Sequence, residues 1–373
     1  MQKKTPFYQL LTAALFICLV LSFAVTYVTN LCLDNDKALD ERCYDGSVVA
    51  GDGLTDRFNR SFYQNSASLD FVRRFEYRLF GIVNHSNVIV GKNGFLFEVE
   101  DKENGYNYLK DYLGMHTFTD GESAAILAEL QRREQRYNER GCQYLLVILP
   151  NAQSVYSEYM PHYLGAISGN TRLAVLDRYL QANGFDNYIN MTDVLRDFKD
   201  HSLPLYNNTE NSLNALGHYY PYIMLCASFS DNAYDYESLI SRGSLDFFQH
   251  YTVGRSLAKE AGLENVLLNH TISLSNDVRV DYRLLFNSGY VAKTVRNNYG
   301  GIAASSVSSL LLQFSSNRDR LLAETFYSNT FDFVTYQPDH EDNTMVFERA
   351  DPSVVIQFIY ENELSQLLSG QGT

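Results

Sequence analysis

The sequence predicts an α/β fold around a mainly parallel central sheet, and three observations lead there. Strand-length apolar runs without polar alternation, "CQYLLVILP", "SLLLQF" and "SVVIQFIY", have the character of strands buried on both faces. Two of the helical stretches end at a glycine, Gly141 and Gly184, with strand-like sequence following. That helix, glycine, buried-strand unit recurs along the chain, which is the grammar of parallel α/β sheets. At 373 residues the chain is long enough to bury a substantial core.

The elements follow in order. From Phe7 to Val28 the chain is apolar and uncharged, long enough to cross a bilayer of about 30 Å as a helix. Lys3 and Lys4 precede it; Asp34, Asp36, Asp40 and Glu41 follow. The positive-inside rule puts the N-terminus in the cytoplasm and everything after residue 33 outside. Ser22-Phe23-Ala24 resembles a signal-peptide cleavage site. The apolar run continues past it without a break, so an uncleaved anchor is the expectation. Residues 34–84 read as a tether and a first helix near Ser66–Leu79, and residues 85–373 as the α/β domain.

"NVIVGKNGFLFEVED" reads as a β-hairpin across a Gly-Lys-Asn-Gly turn. From Thr119 the spacing turns helical, with Thr119 and Glu122 forming a capping box. A second helix over Thr171–Asn183 leads to "NYINMTDVL", and a third over Arg318–Tyr327 lies between "SLLLQF" and "FDFVTYQ". Tyr144–Leu149, Leu310–Phe314 and Val354–Ile359 are expected to share one sheet. Active sites of such sheets lie at the carboxyl ends of strands, so the loops that matter start at Pro150, near Thr192 and at Ser315.

Composition excludes some functions. A formal charge of −14 (30 Lys and Arg against 44 Asp and Glu) argues against nucleic-acid binding, which needs a basic face. No Cys-x-x-Cys pair or Cys/His cluster marks a metal site among the five cysteines. Cys32 and Cys43 could pair outside the membrane, as could others; Cys142 and Cys226 read as buried thiols.

Several stretches, taken in order from residue 88 to 366, resemble the AlgJ/AlgX family of SGNH-hydrolase-like proteins of exopolysaccharide O-acetylation, and the related DHHW proteins. "VIVGKNGFLF" is similar to the family's Gly-Lys-Asp-Gly-Trp-Leu-Phe, with Asn93 for Asp and Phe95 for Trp. "DYLG" (Asp111–Gly114), "VILPNAQSVYSEYMP" with Ala152 at a Lys position, "VGRSLAKEAGL" and "DPSVVIQFIYENEL" follow in family order. "TENSLNALGHY" matches Thr-Asp-x-His-Trp-Asn-Ala-Leu-Gly-x-Tyr at Thr209, Asn214, Ala215, Leu216, Gly217 and Tyr219. Glu210 stands for the aspartate, Ser212 for the histidine and Leu213 for the tryptophan.

The resemblance implies a Ser-His-Asp mechanism in which serine attacks the acetyl donor and histidine takes its proton. Ser316 aligns with the nucleophile and Ser315 with a preceding aspartate. Glu210, Ser212 and Ser316 are thus the candidate catalytic positions, expected to converge at one crevice. Asn151, Tyr156, Thr209 and Asn214 are the candidate binding positions. A serine cannot act as the base, having no usable pKa near 7. His218, His162 and His201 lie near these loops but read more simply as surface or satisfied histidines. The expectation is a membrane-anchored extracytoplasmic protein of polysaccharide O-acetylation whose catalytic site has degenerated, leaving a glycan-binding or scaffolding role. The alternative is an active serine-dependent O-acetyltransferase or acetylesterase. The implied partners are a cell-surface polysaccharide and a membrane-bound O-acyltransferase; no cofactor is implied.

Overall fold

The structure, a computed structural model, describes residues 66–81, 83, 87–102, 104–200, 202–228, 247–274, 282–287, 292–297, 307, 309–315, 317–338 and 344–368. The expected anchor Phe7–Val28, the cysteines 18, 32 and 43, His201 and Ser316 lie outside them. Among the described residues no helix is long and apolar enough to cross a membrane. The chain divides into two compact units, 1–84 with 261–263, and 85–260 with 264–373. In the first, helix α1 (Ser66–Phe80) is tied by Arg74 Nε to the Gly262 carbonyl at 3.3 Å.

The second unit opens with the expected hairpin, β1 (Val88–Val90) antiparallel to β2 (Leu96–Glu98). Its turn puts Asn93 at φ 55° and Gly94 at φ 76°, conformations for which Asn and Gly are suited. A two-residue pair, β3 (Glu100–Asp101) with β4 (Tyr106–Asn107), leads into the short α2 (Tyr108–Tyr112). Helix α3 (Asp120–Asn138) starts at the Thr119 capping box, where Thr119 Oγ1 accepts from Glu122 N–H and the Glu122 carboxylate accepts from Thr119 N–H.

The sheet begins at β5 (Gln143–Leu149), followed by α4 (Ala152–Val155), α5 (Arg172–Ala182), β6 (Tyr188–Asn190) and α6 (Thr192–Phe198). In "NYINMTDVL" the strand is only three residues long. Asn190 Oδ1 accepts from both Thr192 N–H (3.0 Å) and Oγ1 (2.7 Å), an Asx turn that ends the strand and starts the helix. Then come α7 (Ala215–Ser228), the hairpin β7 (Phe247–Thr252) with β8 (Asn269–Leu274), and α8 (Ser256–Glu260) between them. The chain closes with β9 (Tyr282–Asn287), β10 (Lys293–Asn297), β11 (Ser309–Phe314), α9 (Asn317–Thr330), β12 (Phe333–Pro338), α10 (Thr344–Ala350) and β13 (Val354–Tyr360).

Seven strands form one sheet in the order β6-β5-β13-β11-β12-β10-β9. The first five are parallel, with β10 and β9 added antiparallel at one edge. The three strands expected to share a sheet are neighbours at its centre. Alternation along them sorts the core. Val147, Leu149, Leu312, Ile356 and Phe358 face one side with α7 and α9 residues such as Leu216, Tyr222 and Phe326. Leu146, Ile148, Leu311 and Val355 face the other, with Ile126, Leu130 and Leu176 of α3 and α5. Each such aliphatic side chain contributes about 1.5–3 kcal/mol by leaving water. The chain runs from β5 outward to β6 and from β11 outward to β12, and β13 returns between. This arrangement aligns the carboxyl ends of β5, β13 and β11 where α/β sheets place their sites.

Candidate functional site

The loop carrying two of the three candidate catalytic positions is closed by a β-bridge between Tyr206 and Leu213. Asn207 N–H donates to the Ser212 carbonyl, Glu210 N–H to Asn207, and Ser212 N–H to Glu210, at 3.0, 3.3 and 2.9 Å. The Ser212 hydroxyl accepts from Asn207 Nδ2 at 3.0 Å. The Ser212 hydroxyl is therefore engaged inside its own turn. Glu210 and Ser212 lie together on this loop; Ser316 lies outside the described residues.

The four candidate binding positions are buried, and their polar atoms serve the fold. Thr209 Oγ1 donates to Asn269 Oδ1 (2.8 Å) and accepts from Arg255 N–H (2.9 Å), tying the loop to β8 and to the approach to α8. Asn214 Oδ1 accepts from Leu216 and Gly217 N–H at 3.0 and 3.1 Å, as an N-cap of α7, while its Nδ2 donates to the Pro204 carbonyl. The Tyr156 hydroxyl accepts from Leu205 N–H at 2.9 Å. Asn151 belongs to the array described next. Gly217 has a plain reason: a Cβ there would lie 2.2 Å from the Leu205 carbonyl oxygen. Leu213 is fully buried in the core. Phe95 packs against Tyr156 with ring centroids 4.8 Å apart and the planes tilted by 34°.

A continuous buried polar array crosses the carboxyl ends of β5 and β13. Glu361, 1% exposed, accepts from Asn151 N–H (2.8 Å) and from Ser154 Oγ (2.7 Å). Asn151 Nδ2 donates to the Tyr106 hydroxyl at 3.2 Å, and that hydroxyl donates to Asp111 Oδ2 at 2.6 Å. Asp111 also accepts from Arg172 N–H at 2.7 Å. Burial, reinforced by the charge of Asp111, pushes the Glu361 carboxyl up to about 7; Asn151 N–H, the Ser154 hydroxyl and Arg196 oppose the shift. Burial likewise raises Asp111, against the Tyr106 hydroxyl and Arg172.

Beside this array, on the β11 side, His218 Nε2 lies 3.0 Å from Asp319 Oδ1, off the line of a straight hydrogen bond. Their side chains are 6% and 5% exposed. His218 is in the first turn of α7 and Asp319 in the first turn of α9. Tyr360, at the end of β13, hydrogen-bonds to Asp319; burial and that carboxylate raise its hydroxyl pKa. An acidic residue in a helix's first turn is what the helix dipole favours, so nothing in the local sequence marks Asp319 as special. Among the described residues no group of three or more His, Cys, Asp or Glu side chains is placed to hold a metal ion.

No family model matches the sequence, and no curated protein matches it. Solved structures do. Bacillus cereus PatB1 superposes with TM-score 0.50 at 10% identity, over 74% of this chain and 96% of its own. A DHHW family protein from Eubacterium siraeum superposes with TM-score 0.50 at 11% identity, over 77% and 97%. The O-acetyltransferase domain of Pseudomonas putida AlgJ overlays more loosely, with TM-score 0.43 at 15% identity over 74% and 92%. At these identities the likeness is one of fold: this chain has the SGNH-like α/β fold of PatB1 and of the DHHW family protein.

Proposed function

We propose that this protein is a non-catalytic, glycan-directed member of a cell-surface polysaccharide O-acetylation system, held outside the cytoplasm by Phe7–Val28 and working beside a membrane-bound O-acyltransferase. The reaction class is supported by the ordered resemblance of motifs and by the shared fold, which does not by itself carry activity. The observation behind the loss of catalysis is the Ser212 hydroxyl, bound to Asn207 where a base would have to stand. Losing a triad member costs about 10⁴-fold or more in a serine hydrolase.

A second reading rests on the buried His218–Asp319 pair: an active O-acetyltransferase or acetylesterase in which His218 takes the base's part.

Full-length protein in detergent, given an activated acetyl ester, is expected to show no turnover above background, and Ser212→His is the variant expected to gain it. Wild-type turnover that disappears in Ser316→Ala overturns the non-catalytic reading; its disappearance in His218→Gln as well would establish the second. Cell fractionation is expected to leave full-length protein in the membrane. A mature form beginning near residue 25 would reject the anchor.

A further inference from the structure

Helix α1 ends on an exposed apolar stretch. Phe75, Leu79 and Phe80 are 46%, 58% and 67% exposed, all within its last six residues. Helical phase decides how they stand. Phe75 and Leu79 are four positions apart and share a face; Arg78, also exposed, lies on the same side, and Phe80 closes the helix. Tyr77, two positions from each of Phe75 and Leu79, is partly buried on the opposite side. Arg74 is engaged elsewhere, its Nε on the Gly262 carbonyl. An exposed apolar side chain on its own is ordinary. Three at one helix end, beside a cation, form the kind of patch that marks an interaction surface.

Charge and position in the chain choose a lipid surface as what this patch meets. At −14 the chain as a whole is repelled by anionic headgroups, but α1 reverses the sign locally, with Arg73, Arg74 and Arg78 against Asp70 and Glu76. It is also the first described element after Phe7–Val28, and residues 29–65 between them span at most about 130 Å even fully extended. A chain already held at the membrane makes its second contact intramolecularly, so a weak surface affinity is enough. The helix is too short to cross: fifteen residues measure about 22 Å, against about 30 Å of hydrocarbon. We propose that α1 lies along the extracytoplasmic face of the membrane, with Phe75, Leu79 and Phe80 among the lipid chains and Arg78 at anionic headgroups. Helices of this kind seat aromatic and leucine side chains about 5–10 Å into the boundary while arginine reaches back toward water. The placement rests on the anchor proposed above and adds a surface contact to it.

The chain holds no tryptophan, so a single introduced one is the sole reporter. Full-length Leu79→Trp, reconstituted in vesicles of phosphatidylcholine and phosphatidylglycerol, is expected to show blue-shifted emission. Lipids brominated near the headgroup are expected to quench it about twofold. Tyr77→Trp, on the opposite face, is expected to keep its emission. Phe75→Trp is the second reporter of the exposed face should Leu79→Trp fail to fold. Equal quenching at 77 and 79, or none at either, overturns the placement. A blue-shifted reporter at 79 that bromolipids do not quench also overturns it, and gives the face to protein, either residues 29–65 or a second copy. Quenching that is unchanged in vesicles of phosphatidylcholine alone overturns the part assigned to anionic headgroups. Flotation separates this contact from the anchor. Protein that floats with an unquenched reporter loses the surface contact alone; protein that fails to float overturns the anchor, and this contact with it.

Discussion

Asp319→Ala is expected to destabilise the protein by about 1–3 kcal/mol, the usual cost of leaving buried polar groups without their partner. The carboxyl of Asp319 faces the imidazole of His218 and the hydroxyl of Tyr360, and the side chains of His218 and Asp319 are both more than nine-tenths buried. Alanine would leave two polar groups without their partner in a site closed to water. Replacing both members together, as in His218→Leu with Asp319→Leu, removes the carboxyl and the imidazole at once and is expected to cost much less than the sum of the single changes. The measurement is a double-mutant cycle on urea midpoints. Additive single effects would mean that the two side chains stabilise the fold independently. A strongly coupled cycle with no acetyl-ester turnover in wild type would assign the pair to holding α7 against α9 at the sheet's carboxyl edge.

This pair also shows where the sequence stops being informative. The central strands were legible because a strand buried on both faces has to be apolar throughout, and "SLLLQF" and "SVVIQFIY" are nearly so. The Thr119 capping box was legible because both partners lie within four residues. The edge strands were not. In β10, Lys293, Val295 and Arg296 mix burial with exposure, and β9 exposes Leu284 and Leu285, so neither segment has a clean period. Gln313, Gln337 and Gln357 stand in register across three adjacent strands, a row that appears only once the pairing is known.

The site follows the same division. The 207–217 loop was singled out by its resemblance to a motif, and Asn214, expected as a binding position, caps α7 through contacts made within the segment. The array at the sheet edge joins Asn151 to Glu361 across 210 positions and Arg172 to Asp111 across 61. Glu361 reads in the sequence as an ordinary acidic residue after a strand. Its burial depends on β13 lying between β5 and β11, a fact of topology rather than of neighbouring residues.

That burial makes stability depend on pH. Glu361 moves from an ordinary value of 4.5 up to about 7, chiefly because its charged form is desolvated. The native state therefore holds the proton more tightly than the unfolded chain does. The resulting stabilisation is fully present below about pH 4.5 and is lost as pH rises through 7, amounting to about 3 kcal/mol over that window. Asp111, raised for the same reason, adds to it with the same sign. Glu98 is also pushed up to about 7, by burial and by Asp101 and Glu260, but it is partly exposed and solvent weakens its share. In Glu361→Gln the charge cannot form, so its melting temperature should fall less between pH 5 and pH 8 than that of wild type. The residual slope then belongs to Asp111 and Glu98. Asn151 N–H and the Ser154 hydroxyl can still donate to the glutamine's oxygen, so the substitution tests charge with little loss of contact. Parallel wild-type and Glu361→Gln curves across that range would show that Glu361 is not the titrating group, and would leave Asp111 to carry the array's pH dependence.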